Sequence, residues 1–151
     1  PWYIVSVNEQ GETSEVGRYE PDGYIAPLVG RSFSHGILDC YALVKDYYER
    51  ELGIELPEPV REDGWWNRGQ DLYMENFAAA GFAPINGPIQ KHDVILMQVR
   101  SPVANHAGVY IGDSLMLHHM YNRLSTRDVY GGWYQEITRL IVRHEGVNNV
   151  G

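Results

Sequence analysis

One cysteine in 151 residues rules out an internal disulfide, and with it the small oxidised scaffolds that rely on cross-links instead of a core. Cationic side chains are also scarce. Twelve lysines and arginines against 20 aspartates and glutamates leave a formal charge of −8, which argues against a surface that tracks nucleic-acid phosphates. Long apolar runs are missing: the stretches around Val94 to Val99 and Leu140 to Val142 are of strand length, far short of the roughly 18–20 residues of a membrane span. No signal-like segment, internal repeat or low-complexity tract is present. The chain is long enough to bury a core without staples. It opens at Pro1, in mid-pattern and without methionine, and reads as a single domain over 1–151 cut from a longer polypeptide, with 1–29 as a variable N-terminal segment.

The lone cysteine stands where a helix should begin. Cys40, Leu43, Val44 and Tyr47 are apolar at i, i+3, i+4 and i+7, one buried helical face, and Asp39 just ahead is suited to cap the first-turn amides. The positive end of the helix favours thiolate over thiol, which makes Cys40 a candidate nucleophile. The competing reading is a small buried hydrophobe on an apolar face. The helix should run to about Leu52 and stop at Gly53, and Leu56-Pro57-Glu58-Pro59 forces an extended connection. Trp65-Trp66 precedes a second expected helix, Gln70 to Ala80, ending at Gly81. Trp2 to Val7 has strand composition, and Tyr19, Tyr24 and Phe33 sit among turns ahead of Cys40, either lining a groove or packed as loop anchors.

From Gly87 the pattern turns to β. Asp93 to Val99 reads as an inner strand, and His106 to Ile111 with Leu115 to His119 form a hairpin around Gly112-Asp113-Ser114. After a loop through Tyr130-Gly131-Gly132, Ile137 to His144 supplies a last strand. The class is therefore α+β, an N-terminal helix bearing the cysteine packed on an antiparallel sheet. So short a turn sets His106 directly across from His118 or His119. One imidazole can then take the thiol proton while a second, bonded to its far nitrogen, holds the tautomer. Zinc on Cys40 and these histidines is disfavoured, because His118 and His119 should point to opposite faces of the strand. No metal or cofactor is expected.

The runs Asp39-Cys40-Tyr41-Ala42-Leu43-Val44, Asp93-Val94-Ile95-Leu96, His106-Ala107-Gly108-Val109-Tyr110-Ile111-Gly112 and Leu117-His118 resemble, in order and spacing, the motifs of NlpC-like cell-wall cysteine peptidases. The likeness covers roughly Gly30 to His144. It is especially close to the version in lambda-type phage tail tip assembly proteins, where Gly30-Arg31-Ser32-Phe33, Trp65-Trp66 and Leu124-Ser125 also have counterparts. The resemblance implies a papain-like fold with nucleophile Cys40, base His106 and third polar residue His118, and selects His118 over its bystander neighbour His119. It implies cleavage of amide bonds in peptidoglycan stem peptides, typically between D-glutamate and a diamino acid. It also implies other tail tip proteins as partners, and a place in the virion tail or, during assembly, the host cytoplasm, with action at the bacterial cell wall. Phe33, Tyr41 and Asn105 are the candidate substrate contacts. The chain departs from the family at Tyr41 and Ala42, where members usually have serine and glycine, at His92, where they usually have glycine, and at Phe33, the nearest upstream aromatic where many have a tyrosine near the oxyanion site. Two other readings stay open: a structural tail assembly module with a vestigial or processing-only site, and an acyl transferase using the same thiol.

Overall fold

A computed structural model describes residues 2–20, 22–59, 62 and 64–149. Its elements are α+β. A short ribbon of β1 (Trp2–Ile4) and β2 (Gly17–Tyr19) precedes helix α1 (Cys40–Tyr47) and helix α2 (Leu72–Asn76). Strands β3 (Phe82–Pro84), β4 (Val94–Met97), β5 (His106–Gly112), β6 (Leu115–His118) and β7 (Thr126–Val129) follow, then helix α3 (Trp133–Glu136) and strand β8 (Thr138–His144). The last six strands form one antiparallel sheet in the order β3-β8-β4-β5-β6-β7.

Helix α1 begins as its sequence requires. Asp39 is extended, and its Oδ1 accepts the Ala42 N–H at 2.9 Å, which satisfies a first-turn donor that lacks a helical carbonyl. The expected helical stretch does reach Leu52, but its last turn, Tyr48–Leu52, widens to a π-helix before Gly53 ends it at φ 66°. Leu43, Val44, Tyr47 and Tyr48 pack on Ala107, Val109 and Leu117 of the sheet. The opposite face buries Ile95, Met97 and Met116 under Tyr130, Tyr134 and Ile137.

Two expected elements differ. The second helix is only Leu72–Asn76: residues 77–81 continue as turns, closed by Phe82 N–H to the Phe77 carbonyl at 3.0 Å with Gly81 left-handed. The segment before Tyr130 contains a strand, β7, where a loop was expected. Only half-buried Thr126 and Asp128 alternate with exposed Arg127 and Val129, so no hydrophobic alternation marks it.

Arg31 ties the loop ahead of α1 to the rest. Its buried guanidinium donates to Pro27 O (2.6 Å), Ala26 O (3.2 Å) and Asp46 Oδ2 of α1 (2.7 Å), and its backbone pairs with Ser125. That pairing joins Gly30–Phe33 to the Leu124-Ser125 segment and sets Phe33 beside the start of α1. His92 takes a left-handed conformation (φ 78°) that glycine adopts most easily. A non-glycine residue there costs about 1–2 kcal/mol. Here the Tyr48 O–H donates to the His92 carbonyl (2.5 Å) and the Tyr47 hydroxyl lies 2.8 Å from its Nδ1. The Tyr47 contact, which a glycine would lack, offsets about 0.5–1.5 kcal/mol of that cost.

The hairpin register corrects one expectation. Asp113 and Ser114 are both left-handed, as a two-residue type I′ turn demands. A bulge between Tyr110 and Gly112 then pairs His118 with Gly108, while His106 pairs with Met97 on the other side. His106 is therefore diagonal to His118, two residues along the same face, and not directly across from it. The missing side chain at Gly108 is what lets the two rings meet. A Cβ there would lie 2.7 Å from Met116 Sδ and 3.1 Å from His118 Cβ. Gly108→Ala should lower stability by roughly 1–3 kcal/mol through overpacking. Urea denaturation measures it, and an unchanged midpoint would show that Met116 swings aside freely.

Candidate active site

Helix α1, strand β5 and helix α2 meet at a cleft of about 630 Å³. Its walls include Phe33, Cys40, Tyr73, Asn105, His106 and His119. Cys40 is partly exposed as the first residue of α1, and the Tyr73 hydroxyl is 3.1 Å from its Sγ. His106, the first residue of β5, is buried.

Behind His106 runs a chain of hydrogen bonds whose polarity follows from its far end. His106 Nε2 is 3.0 Å from His118 Nδ1, and His118 Nε2 is 3.0 Å from Asp128 Oδ2. Asp128 as a carboxylate only accepts, so His118 carries its proton on Nε2 and offers the Nδ1 lone pair to His106. His106 then donates from Nε2, and its Nδ1 is left with the basic lone pair. Tyr134 O–H donates to the same Asp128 oxygen at 2.8 Å, and its ring lies edge-on to His118 with centroids 5.1 Å apart.

Burial governs the charges. It pushes His106 down to about 3, helped by the neighbouring His118 and His119, and pushes His118 and His119 down as well. At His118 and His119 the bonds to Asp128 and to the Arg123 carbonyl oppose the shift without overcoming it. At Asp128 burial acts upward, but the bonds from His118 and Tyr134 outweigh it and hold the carboxyl below its ordinary range. Tyr134, partly buried and beside that carboxylate, is pushed up to about 12. Near neutral pH the arrangement is therefore a neutral imidazole pair ending on a carboxylate. A neutral imidazole in the same cleft as a thiol can accept the thiol proton.

The structure brings some of the expected substrate contacts to this cleft and not others. Phe33 lines it, with its ring edge-on to His119 and Tyr121. Asn105 lines it too, but its amide is engaged by Val99: Val99 N–H donates to Oδ1 (2.8 Å) and Nδ2 donates to Val99 O (3.0 Å). Tyr41 turns away. It lines a separate apolar cavity of about 250 Å³ under α2, and its hydroxyl donates to Pro57 O at 2.5 Å. Tyr24 is exposed, and the side chain of Tyr19 lies outside the described residues. His119, taken from the sequence as a bystander, sits in the cleft wall, with Nε2 donating to Arg123 O at 2.9 Å. Trp65 is buried as an anchor, and both it and Trp66 line the cleft.

Sequence reasoning missed Asp128, Tyr134 and Tyr73. Asp128 lies on a strand without apolar alternation, and Tyr73 sits on an expected helix face where an aromatic reads as core. Among the described residues no three histidine, cysteine, aspartate or glutamate side chains converge as a metal-ligand group, and no helix is long and apolar enough to cross a membrane.

Comparison with known proteins adds a family. The model of the NlpC/P60 family matches residues 30–143. The tail tip assembly protein K of Escherichia phage lambda is 44% identical over 119 residues, covering 78% of this chain and 59% of that protein. Its counterpart of the same name from Escherichia phage N15 is 37% identical over 149 residues, covering 97% of this chain and 59% of that protein. The chain thus spans about three-fifths of the length of these curated relatives.

The depressed histidines make stability pH-dependent with a defined sign. His92, His106, His118, His119 and His144 all titrate lower in the fold than the ordinary 6.5, so the unfolded chain takes up protons first as pH falls. Stability should be full above that value and drop as pH falls toward the His106 value of about 3. Chemical denaturation at about pH 7.5, 6 and 4.5 reads the slope, and His106→Gln should flatten it. A stability that holds constant or rises toward acid would contradict the burial of these rings as neutral groups.

Proposed function

This chain belongs to the NlpC/P60 family, and from that premise we propose that it is a papain-like cysteine peptidase acting on peptidoglycan stem peptides. The observation that carries the reading is the shared cleft. Cys40 at a helix start and His106 line it together, and His106 is backed by His118 and Asp128. In the proposed reaction Cys40 Sγ attacks the scissile carbonyl, His106 Nδ1 takes the thiol proton and returns it to the leaving amine, and water resolves the thioester. His118 holds the tautomer of His106. Asp128, steadied by Tyr134, holds that of His118 and stabilises the positive charge His106 gains. No step calls for a metal or cofactor. The relatives' names concern tail tip assembly. We accordingly propose other tail tip proteins as partners and the phage tail as the place from which the domain reaches the cell wall.

Incubation with purified sacculi, followed by mass spectrometry of released peptides, tests the activity. New termini that disappear with Cys40→Ala are expected. An intact wall beside a folded protein would favour a structural assembly role, and amine adducts would favour acyl transfer. On a single stem-peptide substrate, His118→Asn should retain part of kcat and His118→Ala less. Asp128→Asn should cost about tenfold or more, but well under the roughly 10⁴-fold known when the carboxylate touches the base directly, because one imidazole intervenes. Near-normal kcat in folded His118→Ala would refute the relay.

A further inference from the structure

An acyl-transfer site needs donors for the oxygen that gains charge, and the backbone N–H of Cys40 at the helix start is one. We propose that the Tyr73 hydroxyl is the second, supplied from α2, downstream of the nucleophile. The proposal rests on the reading of Cys40 as a nucleophile.

The geometry is specific. The Tyr73 oxygen lies 3.1 Å from Cys40 Sγ. An oxygen on the carbon attacked by that sulfur is two bonds from it, so when it faces α2 it lies within hydrogen-bond reach of the hydroxyl without any movement of the helix. The ring is well held. It packs edge-on to Trp65 (centroids 5.9 Å) and tilted against Tyr41 (6.4 Å), and it forms part of the wall between the cleft and the apolar cavity under α2. An apolar body fixed on one side with a polar tip beside the sulfur is a preorganised donor, which costs no reorganisation during the reaction. A phenolic hydroxyl offers a hydrogen to an oxyanion, whereas His106 offers the Nδ1 lone pair to the thiol proton, so the two groups have different tasks.

In the step itself the Sγ–C bond forms as the carbonyl electron pair moves onto oxygen, and the thiol proton passes to His106. Cys40 N–H and Tyr73 O–H hold that oxygen. On collapse the pair returns, the C–N bond breaks and the amine leaves with the proton from His106. This assignment also accounts for Phe33, which has no hydroxyl, as the nearest upstream aromatic: the donor comes from α2.

The test compares two reactions of the same thiol in the full chain. Acylation by p-nitrophenyl acetate passes through an oxyanion and is followed by the burst of nitrophenolate. Alkylation by iodoacetamide displaces iodide and forms no oxyanion. Tyr73→Phe removes one oxygen and keeps the ring, and should slow acylation by about tenfold or more while alkylation stays within about twofold of wild type. Equal acylation rates would overturn the proposal, as would a parallel fall in both reactions, which would mark the hydroxyl as a partner of the thiolate alone. His35, whose Nε2 is buried beside the cleft without a partner among the described residues, provides the competing variant. Loss of acylation in His35→Gln with Tyr73→Phe at the wild-type rate would move the role there. A thiol inert to both reagents would sink the nucleophile reading, and the proposal with it.

Discussion

The carboxylate of Asp39 is the constraint on which the site depends. Buried between the loop and the helix, it spends one oxygen on each: Oδ1 accepts Ala42 N–H and Oδ2 accepts Gly36 N–H, both at 2.9 Å. Loop and helix start thus become one unit, closed further by the bridge between Ser34 and Leu38. Gly36 is left-handed there (φ 73°), a conformation that most side chains resist. An N-cap is usually worth about 1 kcal/mol of stability. At this position it also fixes the direction in which Cys40 leaves the backbone.

The relay behind His106 works by a similar economy of means. One acceptor-only group at its end orients two rings, since each imidazole in turn has only one nitrogen left to donate. Burying three imidazoles close together disfavours charge on all of them. That is unfavourable for folding at low pH and favourable for a base, which has to be neutral before it acts. Local rules of stability are broken where chemistry is concentrated, as expected of a functional site.

Much of this was legible in the chain because it rests on short-range signals. Asp39 before an i, i+3, i+4, i+7 stripe gives the helix and the place of Cys40, and Gly53 ends that helical stretch in the left-handed region as glycine permits. The hairpin was legible from Gly112-Asp113-Ser114, but its register was not. The bulge between Tyr110 and Gly112 shifts the pairing, and Gly108 leaves the room that Met116 fills, neither of which a local pattern reports. For the same reason Asp128 was invisible: its role comes from the pairing of β6 with β7, a strand whose residues have no apolar alternation. Tyr41 shows the converse. It is adjacent to Cys40 in sequence, yet about 100° of helical rotation per residue carries it to another cavity.

The two halves of the site come from opposite faces of one sheet. Ala107 and Val109 of β5 pack beneath α1, which carries Cys40, while His106 and Gly108 share the parity of Met97 and Met116 on the other face, where His118 and Tyr134 lie. Strand β5 is therefore common to both layers, and only at its first residue does a side chain of the second face reach the cleft that opens at the head of α1. Cys40 and His106 are brought to one cleft by the covering of both faces. On the proposed reading, a chain with one layer loosened keeps its cysteine but has no oriented imidazole beside it, so the arrangement depends on completion of the whole fold and not on the helix alone.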